Sequence, residues 1–239
     1  MNEDIIKGQK DNALTLNYNQ WIFDKISPYI GNRIVDIGSG LGNFLGYLSE
    51  RELVIAVDIL DIFIEHLRKT YAGCGNIHIF KCDVQSDTIV EACGQYKPDT
   101  VICNNMLEHV QDDLRALNNM RRILNDRGNL ILVLPAFKLL YGKWDKSVGH
   151  YRRYSMKEIR LKLKTANFSI KKSFYINMVG FLGWFLNAKI LRNTPRCYSV
   201  EGQAIFFDRY IVKPLRKIED KLKPPFGQSL IVIADPNRN

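Results

Sequence analysis

The sequence predicts an α/β fold: a doubly wound, mostly parallel, seven-stranded sheet with a helical insertion before its last strand. Two observations carry this. Short β-branched apolar runs alternate with stretches of helical period, the order that parallel strands joined by right-handed helical crossovers require. The chain also has 239 residues, 46% hydrophobic and 25% charged. A chain of that size buries roughly 70–75% of its unfolded surface and holds a core without disulfide or metal staples. A single domain over 1–239 follows, with a core over 30–135 and a loop and helical lobe over 136–228.

Arg33–Ile37, Leu53–Val57, Asn76–Phe80, Thr100–Cys103 and Asn129–Leu134 read as five buried strands. Between them Asn43–Glu50, Ile59–Tyr71, Ser86–Gly94 and Asp112–Asn125 read as helices, the last stopped by Arg127-Gly128. After Leu134 the rhythm changes. An aromatic and cationic loop, Pro135–Tyr154, leads to a helix from about Ser155, with Glu158 three residues on as a capping box. Phe168–Tyr175 and Ser229–Ala234 complete the strands, and the residues between those two are expected to be mainly helical.

Composition narrows the setting. The five cysteines, Cys74, Cys82, Cys93, Cys103 and Cys197, are odd in number and show no C-x-x-C spacing, so neither a disulfide framework nor a zinc knuckle is expected. The polar, acidic start Met1-Asn2-Glu3-Asp4 lacks the basic and apolar regions of a secretory signal, and a cytoplasmic location is expected. The net charge is +9, with 12 Lys and Arg against 5 acids after residue 170. From Lys138 to Lys164 nine cations face Asp145 and Glu158 alone. Such a field suits anionic partners such as phosphorylated substrates, acidic headgroups or nucleic acid, and equally a solvated basic face.

The segment Asp36-Ile37-Gly38-Ser39-Gly40-Leu41-Gly42 carries the chemistry. A strand runs into three alternate glycines, which permit positive φ and close backbone approach, and the helix start is expected to offer free N–H groups to a nucleotide-like ligand. A dinucleotide fingerprint has its third glycine where Asn43 stands. The spacing here departs from it. Asp58 closes the second strand, placed to accept from both hydroxyls of a ribose, and Asp83 follows the third, placed to accept from an exocyclic amine. Both would alternatively cap the helices that follow them. Asp36, at the first strand's end, lies where a ligand's ammonium would sit.

With these residues in series, the chain resembles class I S-adenosylmethionine-dependent methyltransferases over about residues 30–135 and the two final strands. The resemblance implies a Rossmann-like methyltransferase fold, a cofactor-binding core over 30–135 and S-adenosylmethionine as cofactor. It implies that Gly38, Ser39, Gly40 and Gly42 form the turn at its methionine part, with Asp36 nearby. Asp58 would hold the ribose, Ile59 one adenine face, Asp83 and Val84 the amine edge, and Asn104 would lie near the sulfonium.

After the fourth strand, Asn105-Met106-Leu107-Glu108-His109 resembles a Leu-Glu-His stretch of small-molecule methyltransferases. Some relatives bind a divalent metal there. Asn105 stands where they carry a second carboxylate, so too few hard ligands remain and no metal is expected. His109 reads as a helix-start or pocket residue.

The stretch Tyr141–Tyr154 contains D-x-x-x-G-H-x-R-R-Y and resembles a branch of the family often associated with glycosyltransferases and surface-glycan assembly. Tyr141, Trp144, Asp145, Arg152, Arg153 and Tyr154 are the candidate substrate residues. Arginine forks clamp phosphate or carboxylate and aromatic faces take a sugar or lipid, although Arg152 and Arg153 would serve equally as salt-bridge partners of Asp112, Asp113 or Asp145. An unperturbed imidazole suits proton removal near neutrality, so His150 is the candidate general base for a hydroxyl acceptor, or else a histidine that holds the loop.

Ile176–Leu191 is apolar nearly all round, but at sixteen residues it falls short of the ~20 a membrane span needs, and Lys189 interrupts it. Core helix, pocket wall or dimer contact, and interfacial anchor flanked by Lys171, Lys172, Arg192 and Arg196 are its three readings. The expected function is S-adenosylmethionine-dependent methyl transfer to a small-molecule, glycan or lipid-linked acceptor, with oxygen favoured and peripheral membrane contact compatible. The rivals are a nucleic-acid methyltransferase, disfavoured by the lack of a single-strand-binding array, and a non-catalytic binding module.

Overall fold

In a computed structural model, which describes residues 6, 8–10, 13–186 and 200–237, the seven strands form one sheet in the order β3-β2-β1-β4-β5-β7-β6. They are β1 (Arg33–Ile37), β2 (Leu53–Asp58), β3 (Ile77–Lys81), β4 (Thr100–Asn104), β5 (Asn129–Pro135), β6 (Phe168–Ile176) and β7 (Ser229–Pro236). β1 to β5 are parallel, and β7 runs antiparallel between β5 and β6. The strand order reverses between β1 and β4, so a crevice opens beyond their carboxyl ends, where ligands of such sheets bind.

The alternation of strand side chains divides the core in two. Val35, Ile55, Val101, Leu130 and Val232 point to one face, covered by α4 (Thr88–Gly94), α5 (Asp113–Ile123) and α7 (Met156–Thr165). Ile34, Val54, Ile102, Ile131 and Ile231 point to the other, covered by α1 (Leu16–Ile26), α2 (Leu45–Leu48) and α3 (Asp61–Thr70), with α10 (Lys213–Glu219) from the insertion. Both faces are buried, which is why the central strands read as unbroken apolar runs. β6, at the edge, carries Lys171 and Lys172 beside a bulge between Ile170 and Lys172, devices that discourage pairing with another chain.

Two helix expectations need correction. α2 is a single turn, not Asn43–Glu50, because Gly42 takes φ +82° and Gly46 sits inside the turn, each unfavourable to propagation. α5 ends at Ile123 rather than Asn125: Leu124 turns to extended backbone and packs into the core. Gly128 is not its stop. A Cβ there would stand 2.8 Å from the Asp99 carbonyl oxygen, so the glycine serves a close approach of backbones. At α7, Ser155 does accept from the Glu158 amide at 3.3 Å, while the Glu158 carboxylate pairs with Lys138 at 3.0 Å.

Between β6 and β7 the described residues are mainly helical, with α8 (Met178–Phe185), α9 (Val200–Phe206), a wide π turn over Phe207–Val212 and α10, followed by irregular backbone over 220–228. Residues 187–191 of the Ile176–Leu191 segment, Lys189 among them, and Arg192, Arg196 and Cys197 lie outside the described residues, while Cys74, Cys82, Cys93 and Cys103 are free thiols. Among the described residues no helix is long and apolar enough to cross a membrane.

Candidate active site

The glycine turn after β1 is tied down by its own amides. Gly38 and Ser39 donate to the Val57 carbonyl at 2.8 and 3.0 Å, Gly40 to Asp58 Oδ2 at 2.9 Å, and Gly42 to the Ser39 carbonyl at 2.8 Å. The chain's tight return over β2 spends these four amides, so the turn itself offers a pyrophosphate little to bind. Its glycines matter for space. Gly38, Gly40 and Gly42 have φ of +78°, +53° and +82°, where a Cβ is strained. A Cβ on Gly38 would lie 2.3 Å from Met106 Cγ, and one on Gly40 2.6 Å from Gln9 Oε1. On Gly42 it would meet Leu67 at 3.0 Å, so the third glycine admits α3 rather than a ligand.

Acids stand at the following strand ends. Asp58 Oδ1 accepts from the Leu60 amide at 3.0 Å and Oδ2 from Gly40, which leaves each oxygen a further lone pair. Burial pushes its carboxyl above the ordinary value, against the pull of those amides. Ile59 beside it is 53% exposed, a bare apolar surface at the crevice. Asp83 accepts from the Gln85 amide at 2.8 Å, and Val84 packs into the core. Neither acid caps a helix: α3 begins after Leu60 and α4 after Asp87, both without a side-chain cap. Burial pushes the Asp36 carboxyl up to about 7, with the Ser39 hydrogen bond opposing and the Asp58 charge assisting. Asn104, at the end of β4, accepts from the Asn105 side chain at 3.1 Å.

Beside Asn105 a cavity of about 600 Å³ opens between the substrate loop and the helical insertion. Its polar end is made by Glu108, His109, His150 and Arg153, and its apolar wall by Trp144, Trp184, Leu182 and Leu186. Backbone hydrogen bonds fix the loop over this end: Tyr151 donates to the Glu108 carbonyl at 2.8 Å, and Tyr154 and Pro135 are joined at 2.9 Å.

Asp145 organises the polar end. It is fully buried, and its Oδ1 accepts from Arg153 Nε and pairs with His150 Nδ1, each at 2.8 Å, while Oδ2 accepts from the Gly142 amide at 2.9 Å. Burial raises its carboxyl, but the His150 hydrogen bond, the Arg153 charge and the Gly142 amide outweigh that and hold it below its ordinary value. An ionised Asp145 accepts only, so His150 Nδ1 carries a proton and Nε2 is the ring nitrogen left for another partner. Nε2 lies 3.9 Å from Glu108 Oε1. The imidazole packs edge-on to His109 and Trp144, with centroids 4.5 and 5.5 Å away. Burial lifts the Glu108 carboxyl to about 7, and burial together with the His150 charge lowers His109 to about 3.

Of the candidate substrate residues, Trp144 and Arg153 line the cavity, and Arg153, 2% exposed, keeps Nη1 without a hydrogen-bond partner. The others have different tasks. Arg152 pairs with Asp113 at 2.8 Å and donates to the Gln111 carbonyl, Tyr154 donates to Asp113 and the Leu107 carbonyl, and Tyr141 donates to the His150 carbonyl. Asp145 positions its neighbours from within the core. Arg152 and Arg153 thus take the salt-bridge alternative, with Asp113 and Asp145, whereas the Tyr154 bond to Asp113, some forty residues away, has no signature in spacing. The cavity also uses Tyr18, Asp208 and Ser229, none foreseen, and Leu182, Trp184 and Leu186 from Ile176–Leu191, a segment for which a pocket wall is one of the three readings. Asp208 accepts from the Asn17 and Tyr18 amides at 3.0 and 2.8 Å and so caps α1 from the far end of the chain, while Glu219 does the same for the start of α8.

Comparison with known proteins matches residues 17–173 to a family described as a methyltransferase domain. The lovastatin diketide synthase of Monascus pilosus is 33% identical over 111 residues, covering 42% of this chain, and the chain spans 4% of that synthase's length. Two solved structures share the fold. The Burkholderia thailandensis 1,6-didemethyltoxoflavin-N1-methyltransferase, bound to its substrate and S-adenosylhomocysteine, has a TM-score of 0.58 at 15% identity, covering 94% of this chain and 79% of that one. The [4+2]-cyclase SpnF has a TM-score of 0.60 at 14% identity, covering 91% and 80%. The last pair shows one architecture serving two reactions, so function must be argued from the site.

Proposed function

Because the chain belongs to the methyltransferase-domain family, we propose that it transfers a methyl group from S-adenosylmethionine to a hydroxyl-bearing small molecule seated in the 600 Å³ cavity. One observation carries this reading: Asn105, which follows the end of β4, and Gln9, which lies against Gly40 of the β1 turn, both line a cavity whose polar end holds His150, paired with Asp145.

The residues present fit such a cofactor. Gly38 and Gly40 lack the Cβ that would crowd the turn, and their neighbours there, the Met106 and Gln9 side chains, have several rotatable bonds each. Asp58 keeps lone pairs that would accept from two ribose hydroxyls, Ile59 has an exposed apolar face that would cover the adenine, and Asp83 with Val84 would hold its amine edge. Asp36, bonded at its carbonyl by Ser39, would take the ammonium, and Asn104, at the end of β4, would border the sulfonium. When bound, S-adenosylmethionine supplies a sulfonium methyl for in-line displacement.

The chain's own residues do the rest. Trp144, Trp184 and Leu182 take the apolar or ring face of the acceptor, Arg153 Nη1 donates to an anionic group on it, and His150 Nε2 takes the hydroxyl proton, with Asp145 stabilising the imidazolium. A phosphate- or carboxylate-bearing glycan or lipid-linked intermediate meets this description, and the resemblance of the loop supports it. The exposed Leu182, Leu186 and Phe206 near the cavity, with Arg209 and Lys213 close in sequence, support peripheral contact with a membrane from the cytoplasmic side.

The test is incubation with methyl-labelled S-adenosylmethionine and fractionated cell extract. Label is expected in the glycolipid or soluble anionic fraction. Label confined to RNA, or to no fraction, would overturn the acceptor assignment or the activity respectively.

A further inference from the structure

We propose that Glu108, His109 and His150 form a binding site for one divalent transition-metal cation at the polar end of the cavity. One ligand atom from each lies within 4.8 Å of the other two. Glu108 and His109 share the short turn after β4, and His150 is brought to them from the substrate loop by the Tyr151 amide bond to the Glu108 carbonyl.

Three features distinguish this cluster from an ordinary buried ion pair. Glu108 is wholly buried, yet neither carboxylate oxygen has a hydrogen-bond partner. A carboxyl buried without partners is costly, and a cation between it and the imidazoles removes that cost. Next, each histidine already has a second partner. His150 Nδ1 is held by Asp145 at 2.8 Å, and His109 has a hydrogen bond with the Gly149 backbone. Metal-binding histidines are held in this way, through the ring nitrogen that does not face the ion. Finally, all three residues border the cavity, so coordination positions remain open toward the acceptor.

The donor set chooses the ion. Two imidazoles and one carboxylate suit Zn²⁺, Co²⁺, Fe²⁺ or Mn²⁺, whereas Mg²⁺ and Ca²⁺ prefer oxygen-rich shells. The inference rests on the proposed function in taking the cavity as the acceptor's place. An acceptor hydroxyl in an open position loses its proton to water more readily. In the loaded protein His150 Nε2 therefore binds the ion, and in the metal-free protein it takes the proton itself.

The experiment uses the full-length chain, stripped with a chelator. Zn²⁺ and Mg²⁺ are titrated calorimetrically, Co²⁺ is followed by its visible absorption, and S-adenosylhomocysteine binding is measured on the same samples. One Zn²⁺ or Co²⁺ per chain is expected, with Mg²⁺ much weaker. Asp145→Asn should weaken the ion about 10–100-fold, as loss of an outer partner does, and Glu108→Gln and His109→Ala at least as much. His109→Ala, at a half-buried position, serves as the second variant should Glu108→Gln fail to fold. No stoichiometric binding, or binding unchanged in folded Glu108→Gln or His109→Ala, overturns the site. Because S-adenosylhomocysteine affinity is read separately, loss of the metal site leaves the proposed function standing, and the reverse also holds.

Discussion

His150 Nδ1 stands 2.8 Å from Asp145 Oδ1, five residues away in the chain. The same carboxylate oxygen receives Arg153 Nε at 2.8 Å, so one buried acid sets the tautomer of the imidazole and holds the guanidinium that faces the cavity. Asp145→Asn should lower turnover with a hydroxyl acceptor by about 10²–10⁴, the scale of a lost proton-transfer group, and leave S-adenosylhomocysteine affinity unchanged. Single-turnover kinetics beside calorimetry checks this. Turnover equal to the parent's would remove the pair from the mechanism.

The same acid is structural. Asp145→Ala strands Arg153, 2% exposed, without its counter-charge. Breaking a buried pair by removing one partner costs about 3–5 kcal/mol, and urea unfolding should show a loss on that scale. A loss below ~1 kcal/mol would mean that Arg153 reaches solvent or another acid.

Asp36 supplies a pH dependence. Its folded-state value of about 7 lies above that of an unfolded aspartate. The folded chain therefore holds this proton more tightly, a contribution to stability that is complete below about pH 4 and lost as pH rises through 7. An ammonium bound beside it favours the carboxylate. S-adenosylhomocysteine affinity should therefore rise up to ~tenfold per unit as pH climbs toward 7, with proton release on binding, and then level off. Asp36→Asn should flatten the profile. A profile equally steep in that variant would assign the proton elsewhere.

Gly38→Ala meets two obstacles, φ of +78° and a contact of 2.3 Å with Met106 Cγ. The backbone strain alone is about 1–2 kcal/mol. Adding Met106→Gly, which removes both Cγ and the Cβ that lies 2.6 Å away, should relieve the contact and recover part of the lost stability, while cofactor binding stays impaired. Full binding in the double variant would show that the cofactor does not need the space beside Gly38.

How much was legible differs between sheet and site. All seven strands were, because each is a short run bounded by a turn, and so was the placement of Asp58 at the end of β2 and of Asp83 just after β3. The substrate loop was legible as a place but not as a set of roles. Arg152 pairs with Asp113, one of the acids its charge pointed to, but Tyr154 is claimed by Asp113 and Tyr141 by the His150 carbonyl, partners that spacing along the chain does not reveal. Glu108 and His109 were visible as a pair, but His150 joins them only through the fold. Asp208 capping α1 across the whole molecule left no local signature at all.

Calorimetric titration of S-adenosylhomocysteine into the parent and into Asp58→Ala tests whether the β1 turn and Asp58 hold the adenosyl cofactor. One site per chain is expected in the parent, and in the variant a loss of at least ~10-fold, the scale of hydrogen bonds to a charged group. No binding to the parent, or unchanged affinity in a folded Asp58→Ala variant, would contradict that assignment.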